Sequence, residues 1–135
     1  MIVRRFRRDE RGVATIEMAL TLPIVVVFFY GIFQLGAIMA ADAGMQHGLG
    51  EGARMATLFP TPSNSTIASQ VAAKSFSVNV GTIGTPTITN SVGADGNPDN
   101  RFIDMSITYT VTPNFLLFNG PAITMTRTKR VYRSF

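Results

Sequence analysis

The dominant feature of the hydrophobic pattern is an uncharged, mostly apolar run over residues 18–41. At about 1.5 Å of rise per residue, a helix of that length extends ~36 Å, enough to cross a bilayer with some tilt. Its most lipid-like part is Ile24-Val25-Val26-Val27-Phe28-Phe29-Tyr30. Pro23 removes one backbone donor near the start, Gly31 and Gly36 loosen the middle, and Gln34 is the run's one amide side chain. Membrane helices tolerate all of these. The helical pattern continues past the run to about residue 58, where Pro60 and Pro62 stop it.

Downstream the period changes. Ser63 can cap a second short helix over residues 65–75, with Ile67, Val71 and Ala72 on one side. Strand patterns follow at Phe76-Ser77-Val78-Asn79-Val80 and at Thr85-Pro86-Thr87-Ile88-Thr89, the second weakened by its proline. The cleanest alternation covers residues 103–112, where Ile103, Met105, Ile107, Tyr109 and Val111 face one way and Asp104, Ser106, Thr108, Thr110 and Thr112 the other. One face is core and one is wet. After a loop over 113–121, residues 122–132 resume as a strand able to pair antiparallel with the previous one. The expected fold class is α+β, with a long N-terminal transmembrane helix extending into a small domain. There a three- or four-stranded antiparallel sheet packs on helix, beside a second short helix. The expected organisation is a basic cytoplasmic leader at 1–12, a helix at 13–58 with its membrane span at about 18–41, and an extracytoplasmic α+β domain at 59–135.

Charge orients this arrangement. Arg4, Arg5, Arg7, Arg8 and Arg11 outweigh Asp9 and Glu10 immediately before the apolar run. A basic stretch can serve nucleic acid, but one abutting a hydrophobic segment fits the positive-inside rule, with the N-terminus in the cytoplasm. Charged residues make up 15% of the chain, few for a soluble protein and ordinary for one with a membrane span. A cleaved secretory signal is the rival: Ala41-Asp42-Ala43 fits a small-x-small site and would release a domain starting at Gly44, although the apolar region exceeds the usual signal length. The chain has no cysteine, so disulfides, thiolate metal sites and thiol nucleophiles are excluded.

The remaining chemistry is sparse. His47 has no second ligand at metal-binding spacing. Asp95-Gly96-Asn97-Pro98-Asp99 begins like a calcium loop, but Asn100 stands where the sixth-position glycine belongs and Ser106 where the bidentate acid belongs, which leaves a turn-rich surface loop. No phosphate-binding loop, nucleophile–base pair or cofactor fingerprint stands out, so neither an enzyme nor a cofactor is expected.

The most informative segment is Arg11-Gly12-Val13-Ala14-Thr15-Ile16-Glu17-Met18-Ala19-Leu20-Thr21-Leu22-Pro23. A carboxylate inside a membrane segment costs roughly 2–3 kcal/mol unless it finds a partner. In the bland reading Glu17 snorkels to the headgroups. The segment also resembles the start of TadE-like proteins, pseudopilins of the Flp/Tad (tight adherence) pilus, as do Glu51-Gly52-Ala53-Arg54-Met55-Ala56, Thr112-Pro113-Asn114-Phe115-Leu116-Leu117 and Ile123-Thr124-Met125-Thr126-Arg127. Met18 departs from the pattern, since Flp-type substrates usually carry an aromatic residue there. The resemblance implies a pilin-like head, and cleavage by a prepilin peptidase between Gly12 and Val13. It also implies pairing of Glu17, the fifth mature residue, with the N-terminal amine of a neighbouring subunit. The implied partners are membrane lipid, the peptidase, and other pilin-like subunits or the pilus assembly platform, with no nucleic acid. The implied place is the bacterial inner membrane, with the domain in the periplasm or in a surface pilus.

Three further features bear on assembly. Gly36, Ala40, Gly44, Gly48, Gly52 and Ala56 recur every four residues, a ridge of small side chains that lets another helix approach. It could dock a second subunit, pack against the chain's own sheet, or act as a hinge. Arg127, Lys129, Arg130 and Arg133 make the last strand basic, as in a solvated edge strand guarded by charge, with an acidic partner or anionic lipid as the other use. Phe115-Leu116-Leu117-Phe118 is an apolar tip that tucks under the domain or touches membrane or subunit. The expected function is that of a minor pilin or pseudopilin assisting pilus assembly by priming, capping or regulation. The alternatives are a membrane-anchored binding domain without a filament role and a tethered enzyme subunit lacking its own active site.

Overall fold

The computed structural model describes residues 10–60, 62–78, 80–93 and 101–133. Most of the basic leader and the loop at 94–100 lie outside the described residues. The first element, α1 (Glu10–Ala56), is a 47-residue helix, which at ~1.5 Å per residue is about 70 Å long. It has two distinct parts. Residues 12–26 are exposed on every side, whereas from Gln34 onward one side is buried through Ala37, Ala41, Met45, Leu49, Ala53 and Ala56. That spacing of four and then three residues draws one stripe along the helix.

After α1 the chain turns through Pro60 and enters α2 (Asn64–Lys74). The Ser63 hydroxyl accepts a hydrogen bond from the Thr66 backbone N–H at 3.2 Å, satisfying one of the orphan donors of the first turn. Ile67 and Val71 are buried against α1. The two helices run antiparallel, because Gly52 meets Val71 and Ile67 while Gly44 meets Phe76.

The sheet comprises β1 (Thr82–Ile83), β2 (Thr87–Val92), β3 (Arg101–Val111) and β4 (Ile123–Arg133). All pairing is antiparallel and centred on β3. β1 and β2 share one of its edges, at Thr82↔Thr110 and Thr87↔Ser106, and β4 takes the other from Arg101↔Arg133 to Val111↔Ile123. Ile103, Met105, Ile107, Tyr109 and Val111 turn inward and join Met45, Leu49, Ile67 and Val71 in one core. The opposite face is wet, and the Thr108 and Thr126 hydroxyls meet across it at 3.3 Å. The architecture is therefore α+β: a long apolar helix, a short second helix and a four-stranded antiparallel sheet.

Two strand expectations change. Phe76-Ser77-Val78 leaves α2 without forming a strand, because the β3 edge it would occupy is held by β1 and β2. The strand placed around Thr85–Thr89 is β2, which begins just after Pro86, where the missing N–H of proline costs no ladder bond.

Candidate functional site

The stretch Gly12–Ala56 of α1 is long and apolar enough to cross a membrane. Near its start Gly12 and Val13 are exposed, with nothing within 4 Å of a methyl group built on Gly12. Glu17 projects from the same exposed segment. Its backbone carbonyl accepts a hydrogen bond from the Thr21 hydroxyl at 2.8 Å, while the carboxylate forms no ion pair among the described residues. A lone acid on an otherwise apolar helix surface is the one chemically reactive group of this region. In lipid it would call for a compensating cation.

The small-residue ridge divides in two. Gly44, Gly48, Gly52 and Ala56 are buried, and the glycines are covered by α2 and the residues just after it. A methyl on Gly44 would overlap the Phe76 carbonyl, one on Gly48 the Ser75 hydroxyl, and one on Gly52 the Val71 side chain. Ser75 closes this contact by donating from its hydroxyl to the Val71 carbonyl at 2.7 Å. These positions serve the chain's own fold, but the glycines seat mainly on α2 and the residues after it and not on the sheet, because the second helix lies between them. Gly36 is exposed with open space around it, and Ala40 is half-buried, so the part of the ridge left free is the part inside the apolar run.

Two contacts tie α1 to the last hairpin, and neither shows in local sequence. Gln34 is 3% exposed and donates from Nε2 to the Asn114 carbonyl oxygen at 3.0 Å. Asp42 receives both Nε and Nη2 of Arg127, the latter at 3.1 Å. The hydrogen bond from Arg127 holds the Asp42 carboxyl below the usual carboxylate range, against a smaller opposing effect of burial. Farther along β4, Arg130 grips Asp104 at 2.7 and 2.9 Å and lies 3.9 Å from the centre of the Phe102 ring. Two of the basic residues of β4 are therefore neutralised within the chain. The His47 ring lies 6.2 Å from that of Phe76, and among the described residues no group of three or more His, Asp or Glu side chains could hold a metal.

A family model described as TadE-like protein matches residues 12–54. Neither a curated protein nor a solved structure matches the chain. The matched segment takes in Glu17, the free Gly36 and the glycines seated on α2.

Proposed function

We propose, from the match of residues 12–54 to the TadE-like family model, a family of Tad pilus-associated, pilin-like proteins, that this chain is a minor pilin or pseudopilin. It assists assembly of a Flp/Tad-type pilus by priming, capping or regulating the filament. In this reading α1 anchors the protein in the bacterial inner membrane with its N-terminus in the cytoplasm, and the α+β domain lies in the periplasm or in a surface pilus. The role is structural, and its partners are other pilin-like subunits or the assembly platform.

The observation that carries the reading is Glu17. It is a lone exposed carboxylate on a helix surface of apolar side chains, inside the family-matched segment and without an ion pair among the described residues. Cleavage between Gly12 and Val13 by a prepilin peptidase would remove the arginines and leave an α-amino group four residues before the acid. The amine of one subunit and Glu17 of the next are charges of opposite sign about 6 Å apart along the helix axis, so an axial stagger of about four residues brings them together, and pairing them removes a cost of roughly 2–3 kcal/mol for an isolated acid in lipid. Such a pair sets the register between neighbouring helices.

Intact-mass measurement on protein from native membranes tests the processing, and a Glu17→Gln variant tests the pairing. The expected results are a mature chain beginning at Val13 and a variant that inserts normally but loses co-purification with its pilin-like partners. A chain that keeps its arginines, together with undiminished partner capture by Glu17→Gln, would leave a membrane-anchored domain with no filament role.

A further inference from the structure

The junction between α1 and the domain lies within the apolar run of α1. Gln34 is latched to Asn114, and a methyl on Gly31 would sit 3.5 Å from the Phe115 ring. The β3–β4 connection closes at that level, with Asn114 bridged to Asn119 and the Phe115 and Phe118 rings stacked at 5.1 Å. Its tip leaves Leu116, Leu117 and Phe118 exposed at 61%, 76% and 59%, and Ile32 and Phe33 of α1 are exposed as well. So concentrated an apolar patch marks a contact surface.

The charge distribution indicates what covers it. Residues 112–126 contain no Asp, Glu, Lys or Arg, and neither do residues 80–86, which include β1. The register places Thr82, Thr110, Val111 and Ile123 together at this end of the sheet, and Arg101 and Arg133 at the other. The Asp42–Arg127 pair stands between the uncharged end and the basic one.

We propose that the 115–118 tip is a foot resting in the lipid interface, with the hydrocarbon covering α1 from about Gly12 to about Gly31. The inference rests on the membrane-anchored reading above and moves the span from residues 18–41 toward the N-terminus. A span reaching residue 41 would submerge the Gln34–Asn114 latch and the whole irregular connection between β3 and β4. Lipid-exposed irregular backbone has no water to satisfy its N–H and C=O groups and does not occur in hydrocarbon. Counting from the other side agrees: about 30 Å of hydrocarbon at ~1.5 Å per residue, starting just after Arg11, takes about twenty residues and ends at Gly31. The shift also carries Glu17 roughly 7 Å inside the hydrocarbon edge, where its need for a counter-charge is greater. A second subunit could cover the same apolar tip, but it would not explain why the entire end of the domain lacks charge.

Because the chain has no cysteine, single cysteines can be introduced into the full chain and labelled with a polarity-sensitive fluorophore. The labelled protein is reconstituted into phosphatidylethanolamine–phosphatidylglycerol vesicles and quenched by aqueous iodide or by nitroxide-bearing lipid. Labels at Leu117→Cys and Val25→Cys are expected to be quenched by the lipid nitroxide and several-fold less by iodide than a label at Thr128→Cys. A label at Met39→Cys should behave like the Thr128 one. Iodide access at Leu117→Cys equal to that at Thr128→Cys, or a lipid-quenched Met39→Cys, overturns the foot while leaving the anchor intact. Shielding of Leu117→Cys from both quenchers, with cross-linking between copies, overturns it in favour of a subunit contact. Iodide access at Val25→Cys removes the anchored reading itself, and the foot with it.

Discussion

Gly36 and Gly48 belong to the same four-residue repeat on the same helix, and a methyl group has opposite consequences at the two. At Gly36 it meets open space, so alanine contributes only its better helix propensity, up to about 1 kcal/mol. At Gly48 it would overlap the Ser75 hydroxyl and approach the Val71 carbonyl oxygen to 2.7 Å. A hydroxyl can rotate away, but a backbone carbonyl moves only with α2. Gly48→Ala should therefore lower the stability of the detergent-solubilised protein by about 1–3 kcal/mol, while Gly36→Ala raises it slightly, both read from urea midpoints. Equal midpoints would mean that α2 does not seat on this ridge. The spacing of the ridge is legible in the sequence, but its occupant is not: a four-residue repeat of small side chains is the same pattern whether the approaching helix comes from another molecule or from residues 64–74 of the same chain.

At the scale of elements, strand identity is legible where alternation and burial coincide. Ile103 through Val111 alternate cleanly and form the inward face of β3. Residues 76–78 alternate just as well and form no strand, because alternation states which face a strand would bury and says nothing about a vacant edge. The helix-to-sheet contacts are illegible for a related reason, since Asp42 and Arg127 are 85 residues apart. Their pairing makes a pH prediction whose sign follows from the lowered Asp42 pKa. A carboxyl whose folded pKa lies below its unfolded value adds stability that is fully present above the unfolded value, about 3.9. That stability is lost as the pH falls through the depressed folded value. Asp104, lowered by its hydrogen bond from Arg130, acts in the same direction. The difference in thermal midpoint between pH 6 and acid should therefore shrink in Asp42→Asn and again in an Asp42→Asn/Asp104→Asn double variant, while an unchanged acid limb would show that these pairs contribute nothing in solution. Both pairs are solvent-accessible, so the effect at neutral pH is expected to be small and reduced by salt.

For the molecule as a whole, α1 is at once the candidate anchor and a wall of the domain, and this bears on the rival reading in which a secreted domain begins at Gly44. Such a product would lack the Gln34 latch, the Asp42–Arg127 pair, and Ala37 and Ala41, which are 4% and 0% exposed. Two buried methyls and a hydrogen bond are worth about 3 kcal/mol. A small domain is typically stable by about 5–10 kcal/mol in total, so the loss is a large share of what holds the fold. Two fragments compared in the same mild detergent separate the readings: one beginning at Gln34, which keeps every buried position of α1, and one beginning at Gly44. The first should unfold cooperatively with intact sheet structure by circular dichroism. The second should melt at a markedly lower temperature or lose cooperativity. If both melted alike, the lower part of α1 would be dispensable to the domain, and an exported product cut after Ala43 would regain its standing. If they differ as expected, residues 34–43 of α1 are part of the domain itself, and a cut after Ala43 would unseat the sheet.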